Sequence, residues 1–148
     1  TVSERLAAVD AARAAWLADG TLPPSVATTG WTTQEWVHFL EGLPATLTES
    51  QLVALDAAYG FTGTANAELA QRWYPLTVRS GYLAARPAIA EFLSRVGRRK
   101  LIMPTYSALA ATPEGLLFAR DVFATARDAL HPITIGSVTA VLATGPVP

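Results

Sequence analysis

The chain has 148 residues and a formal net charge of −1, with 11 lysines and arginines against 12 aspartates and glutamates. So even a balance supplies no field to draw in nucleic acid or anionic lipid, and the length fits one domain, over 1–148, that can bury its own core. Hydrophobic residues make up 51 % of the chain, alanine foremost, and cysteine is absent; the first favours helices and the second excludes disulfides and thiolate metal sites.

The first element, "SERLAAVDAARAAWLADG", reads as a helix with Ser3 as its cap and Gly20 as a left-handed stop. Leu6, Val9, Trp16 and Leu17 fall on or near one face. Thr1 opens the chain without a methionine and leads straight into this pattern, as a processed or partial chain would. "TLPPSVATTG" follows as a loop, because Pro23 and Pro24 cannot continue a helix. In "TTQEWVHFLEGLP", Thr32 and Glu35 have capping-box spacing, and Trp36, Phe39, Leu40 and Leu43 form a stripe. "TESQLVALDAAYG" repeats the device with Thr48, Gln51 and a stop at Gly60, its apolar face being Leu52, Leu55 and Tyr59.

"TANAELAQRWYPLTVRSG" is expected to start from a Thr64 cap and to kink or break at Pro75. "RPAIAEFLSRVG" has Pro87 near its start and Gly97 as its end. "KLIMPTYSALAAT" reads as a short helix with Pro104 near its beginning. Thr112 caps the next, Pro113 takes its first position, and Leu117, Val122, Phe123 and Ala126 are its core candidates. "ITIGSVTAVLA" is a short last helix whose β-branched residues would also suit a strand, and the tail "TGPVP" is expected to be loose. Seven to nine helices on short connections imply antiparallel neighbours. The expected fold is all-α, a two-layer curved stack of the HEAT or armadillo kind.

Chemistry is sparse. His38 and His131 sit in no metal-ligand pattern, so no zinc site is expected within the chain. The ordinary reading of His38 is a surface or half-buried side chain; His131 should bond near a helix end that favours a cation. No serine lies in a nucleophile elbow, and "GFTGTANAE" lacks both phosphate-loop and dinucleotide spacing. Asp10, Glu35, Glu41, Asp56, Glu68 and Glu91 read as solvated faces, and Trp16, Trp31, Trp36 and Trp73 as core rather than as a ligand groove.

That leaves Arg95, Arg98, Arg99 and Lys100 in "LSRVGRRK". The plain reading is a helix C-terminus whose dipole favours cations. The sharper one is an anion clamp. If Gly97 ends the helix and residues 97–100 run extended, Arg98 and Lys100 point one way and Arg99 the other. An arginine fork with a lysine point charge suits a carboxylate. Four cations on a neutral domain are a poor nucleic-acid footprint. There is no run of about 18 apolar residues and no signal-peptide pattern, so neither a membrane nor nucleic acid is an expected partner. The compartment stays open between cytoplasm and periplasm.

"LDAAYGFTGTANAELAQRWYPL", "ARPAIAEFLSRVGRRKLIMPTYSAL" and "ARDALHPIT" together resemble the C-terminal helical domain of the leukotriene A(4) hydrolase and zinc aminopeptidase family. The likeness runs from about Trp36 to Leu142. Its most specific parts are Asn66-Ala67-Glu68 with Arg72-Trp73, the Gly-Arg-x-Lys of Gly97 to Lys100, Pro104, and His131-Pro132. The resemblance implies a helical-repeat domain that packs on an upstream catalytic domain and walls its substrate cleft. It implies that Arg98 and Lys100 bind the free carboxylate of a peptide substrate. It places zinc and the acid–base residues upstream, since the chain holds no H-E-x-x-H helix and no Gly-x-Met-Glu-Asn motif. The chain is therefore expected to carry no catalytic residue, no metal and no cofactor of its own. Epoxide chemistry has no support here, and heavy alanine and arginine usage points to a bacterial source. The competing reading is a free-standing helical-repeat module that binds a protein partner.

Overall fold

A computed structural model describes residues 1–23 and 28–145; residues 24–27 of the expected loop and 146–148 of the expected loose tail lie outside the described residues. Eight α-helices, two short 3-10 turns and no strand are found among the described residues. The fold is all-α. The chain divides into two compact units, Thr1–Ala45 and Thr46–Pro148.

The first unit pairs α1 (Val2–Asp19) with α2 (Thr33–Glu41). Thr1, not Ser3, caps α1: its hydroxyl accepts from Glu4 N at 3.2 Å while the terminal amine bonds Glu4 Oε2 at 2.9 Å. A complete box two residues earlier outcompetes a lone serine. Gly20 stops α1 at φ 79°, and the Thr32–Glu35 box opens α2. Val9, Trp16, Val37, Phe39 and Leu40 are buried, Trp31 and Trp36 half-buried, and Leu17 lies exposed rather than on the core face. The indoles of Trp31 and Trp36 stand 4.6 Å apart. Arg13 lies along the end of α2, donating to the His38 carbonyl at 3.1 Å. Gly42 makes room for it, since a Cβ there would run into the guanidinium.

Glu35 is not on a solvated face: it is only 5 % exposed. Arg5 grips it in a fork, Nε to Oε2 at 2.7 Å and Nη2 to Oε1 at 2.8 Å, across 30 residues of sequence. The Arg5 bond, followed by the Thr32 backbone N–H, holds the Glu35 carboxyl down at about 2, against an ordinary 4.5. A depressed carboxylate contributes stability above its unfolded value and loses it as pH falls through the folded one. The α1–α2 pair should therefore weaken progressively from about pH 4.5 down through about pH 2. A series of urea melts against pH checks this, and Glu35→Gln should flatten that part of the profile.

The second unit holds α3 (Glu49–Tyr59), α4 (Ala67–Arg79), a 3-10 turn (Leu83–Ala85), α5 (Arg86–Arg95), α6 (Arg99–Leu109), α7 (Pro113–Ala126), a 3-10 turn (Arg127–Ala129) and α8 (Pro132–Thr144). Here α4 packs most closely on α6, α6 also on α8, and α5 on α7. From α4 onward each helix thus meets the next but one, which is how a two-layer stack buries both layers. Trp73, Tyr74, Phe92, Tyr106 and Leu109 are the large side chains of its core.

Several local expectations give way to tertiary packing. Asn66, not Thr64, caps α4: its Oδ1 accepts from Glu68 N at 3.0 Å, while Thr64 Oγ1 takes Asn66 N at 3.1 Å. Helix α4 continues through Pro75 instead of breaking. A proline inside a helix costs ~3 kcal/mol, but Trp73, Tyr74, Leu76 and Thr77 around it are all buried and hold both flanks. Pro104 likewise sits in the middle of α6, not near its start. Leu117 is 54 % exposed, whereas Val122, Phe123 and Ala126 are core. The last segment is a helix, and Thr134, Val138 and Leu142 supply its buried face. Gly115 begins α7 tight against the end of α6; a Cβ there would overlap the Leu109 carbonyl oxygen.

Candidate functional site

The cations of interest sit where α5 hands over to α6. Helix α5 ends at Arg95, and Val96 is already extended (φ −98°, ψ 126°), so the chain leaves the helix one residue before Gly97. Arg98 is extended too (φ −69°, ψ 122°), but it is the N-cap of α6, and Arg99 and Lys100 form the first helical turn. The expectation of an extended run through residue 100 is thus corrected. The Arg98 carbonyl accepts from Leu101 N at 3.0 Å and Ile102 N at 3.2 Å, which closes the turn. A new helix starts so soon because Leu101, Ile102, Thr105 and Tyr106 are all buried.

This also overturns the dipole reading. Only Arg95 lies at a helix C-terminus, where it pairs with Glu91 at 2.6 Å. Arg98, Arg99 and Lys100 crowd the N-terminus of α6, the end whose partial charge is positive. No side chain caps that end; an arginine offers no acceptor. Three exposed cations raise the local potential at a helix end that already favours an anion.

Their side chains separate. Arg99 Nε donates to Ser137 Oγ on α8 at 2.8 Å. On the α4 side, Gln71 Nε2 donates to the Lys100 carbonyl at 3.1 Å, and Arg72 Nη1 reaches Gln71 Oε1 at 2.6 Å and Glu68 Oε2 at 2.7 Å. The Glu68 carboxyl is held below the usual carboxylate range, first by its bond from Arg72, with the charges of Lys100 and Arg98 adding to it. Arg98 and Lys100 therefore act on one carboxylate while Arg99 turns to α8. Among the described residues neither Arg98 nor Lys100 has an ion-pair partner within 4.0 Å. Sequence reading placed Glu68 on a solvated face and left out its contact with this corner, although the i,i+4 spacing of Glu68 and Arg72 was visible.

The remaining candidates serve the fold. His38 is half-buried and bonds Asp10 at 2.7 Å. His131 caps the start of α8, not a cation-favouring end: its Nδ1 accepts from Ile133 N at 3.1 Å. Asp56 is tied down by Thr62 N at 2.7 Å, Thr62 Oγ1 at 2.6 Å and Tyr82 Oη at 3.0 Å. Trp16 and Trp73 are core. A cavity of about 530 Å³ in the first unit, lined by Val2, Leu6, Val37 and His38 among others, had no sequence signal. Among the described residues no cluster of three or more His, Cys, Asp or Glu could hold a metal ion, and no helix is long and apolar enough to cross a membrane.

The family model described as "Leukotriene A4 hydrolase, C-terminal" matches residues 31–142. The chain belongs to this family. The cation corner on α6 and the Asn66–Trp73 segment of α4 both lie inside the matched region. The chain is similar to leucine aminopeptidase 2 of Neurospora crassa, 31 % identical over 123 residues, which is 80 % of this chain and 18 % of the relative. It is 28 % identical over 123 residues to aminopeptidase B of Mus musculus, 80 % of this chain and 19 % of the relative. A leukotriene A-4 hydrolase homolog of Botryotinia fuckeliana is 30 % identical over 107 residues, 70 % and 16 % respectively. The chain spans under a fifth of the length of these relatives. They are fungal and murine, which lends no support to the bacterial source that composition suggested.

Proposed function

We propose that this leukotriene A4 hydrolase C-terminal domain belongs to a zinc aminopeptidase, walls one side of its substrate cleft, and binds the free carboxylate of peptide substrates through Arg98 and Lys100. The observation that carries this reading is electrostatic. Two cations stand without ion-pair partners, among the described residues, at the positive end of an uncapped helix. Such an arrangement opposes folding locally and is relieved by an incoming anion. Arg98 offers a planar fork, Lys100 a point charge, and the first backbone N–H groups of α6 point the same way along the axis. Gly97 leaves the approach bare: a Cβ there would touch only Leu130 Cδ2, at 3.8 Å.

The residues described here do not fit a zinc site. The metal and the hydrolytic step belong, in this reading, to a catalytic domain outside the chain that is also its packing partner. This domain's share is to anchor the substrate tail, so that the far end of a short peptide is presented at a fixed distance. The test compares tripeptides with a free or an amidated C-terminus on the intact polypeptide. The free acid should show kcat/KM higher by roughly 10- to 100-fold, the size of a charge-assisted hydrogen bond of ~1.5–3 kcal/mol. Equal turnover of acid and amide overturns the reading.

A further inference from the structure

Glu68 is an acid placed among the cations of this corner. Its carboxylate accepts from Arg72 Nη1 at 2.7 Å; the same nitrogen reaches Gln71 Oε1 at 2.6 Å, and Gln71 Nε2 reaches the Lys100 carbonyl at 3.1 Å. A continuous chain of hydrogen bonds therefore fixes a negative charge beside the start of α6. The side chain is only partly shielded from solvent, 38 % exposed, and Arg72 beside it 22 %. Arg72 is committed to Glu68, so the cations left to face a guest are Arg98 and Lys100, and one carboxylate takes up both.

We infer that Glu68 is a specificity residue that restricts the site to a guest with a single carboxylate, favouring peptides with an uncharged last side chain over those ending in aspartate or glutamate. This inference rests on the carboxylate-clamp reading above. A second guest carboxylate would have to sit against the Glu68 charge or displace it from Arg72, and both are unfavourable. Lys100 and Arg98 already act on the Glu68 carboxylate, so a charge bound between them feels Glu68 in turn.

The test measures kcat/KM for Ala-Ala-Gln and Ala-Ala-Glu, both with free C-termini, in the intact polypeptide and in its Glu68→Gln and Glu68→Asp variants. Glutamine keeps an acceptor for Arg72 but removes the charge. Glu68→Gln should raise the Glu-to-Gln substrate ratio roughly two- to fivefold, the scale of one screened like-charge contact, while Glu68→Asp should keep the wild-type ratio. A ratio unchanged by Glu68→Gln, with both substrates losing equally, overturns the inference and leaves Glu68 as a structural support. The Arg98→Ala variant separates the two claims. If it abolishes the preference for free acid over amide while Glu68→Gln leaves the ratio alone, the clamp stands and only the Glu68 role falls.

Discussion

Replacing Trp73 with alanine should cost this chain about 3–5 kcal/mol, a large part of the stability of a domain this size. The indole has no exposed surface. Its ring stacks at a tilt 5.0 Å from Phe61. Its Nε1 donates to Thr62 Oγ1 at 2.9 Å, and that hydroxyl in turn donates to Asp56 Oδ2 at 2.6 Å. Tyr82 Oη reaches the same carboxylate oxygen at 3.0 Å. One side chain thus fills the core of α4 and also fixes the turn from α3, so truncation leaves a cavity and takes from the Thr62 hydroxyl the bond it accepts, while its bond to Asp56 remains. Urea denaturation should show a lower midpoint with an unchanged slope. Trp73→Phe keeps most of the buried area and loses the N–H, and should cost about 1–2 kcal/mol. An alanine variant with a wild-type midpoint would place Trp73 outside the core.

Local rules were legible where the deciding atoms are close in sequence. The boxes at Thr32 and Thr48, the cap at Thr112 and the left-handed stops at Gly20 and Gly60 each depend on residues within one turn. The sequence could not show that α4 runs unbroken through Pro75, because burial by other helices offsets the broken hydrogen bond. Nor could it show that Glu35 is buried, since its partner Arg5 lies on another helix. The candidate site divides the same way. Residue types in Arg98, Arg99 and Lys100 pointed to an anion; the pair Arg98 and Lys100 rested on an extended-chain alternation that the helical turn at Arg99 and Lys100 overturns, and on resemblance. Which helix end owns them was hidden. Only residues 96–98 separate α5 from α6, too short a gap for composition to distinguish a stop from a new start. Glu68 and Gln71 came into view only when packing brought α4 against α6.

Arg98→Ala should lower kcat/KM for tripeptides about 100-fold in the intact polypeptide, and Lys100→Ala by a smaller factor of about 10. The difference follows from chemistry: the guanidinium donates two aligned bonds to a carboxylate, whereas the exposed ammonium adds a screened point charge. Arg98→Lys should therefore recover only part of the loss. If both groups address one carboxylate, as proposed, the two losses should not add in the double variant. If tail anchoring serves to orient the scissile bond, kcat falls with the rise in KM; if it binds ground and transition states alike, KM alone rises. Amidated peptides should be nearly unaffected, and equal losses on acid and amide would refute the clamp. Stability gives an independent sign. Removing a cation from the N-terminus of α6 relieves repulsion with the helix dipole, so Arg98→Ala should leave the unfolding free energy unchanged or raise it by up to about 1 kcal/mol. A residue whose loss damages turnover while sparing or strengthening the fold is present for its ligand, whereas a residue that builds the scaffold loses both together.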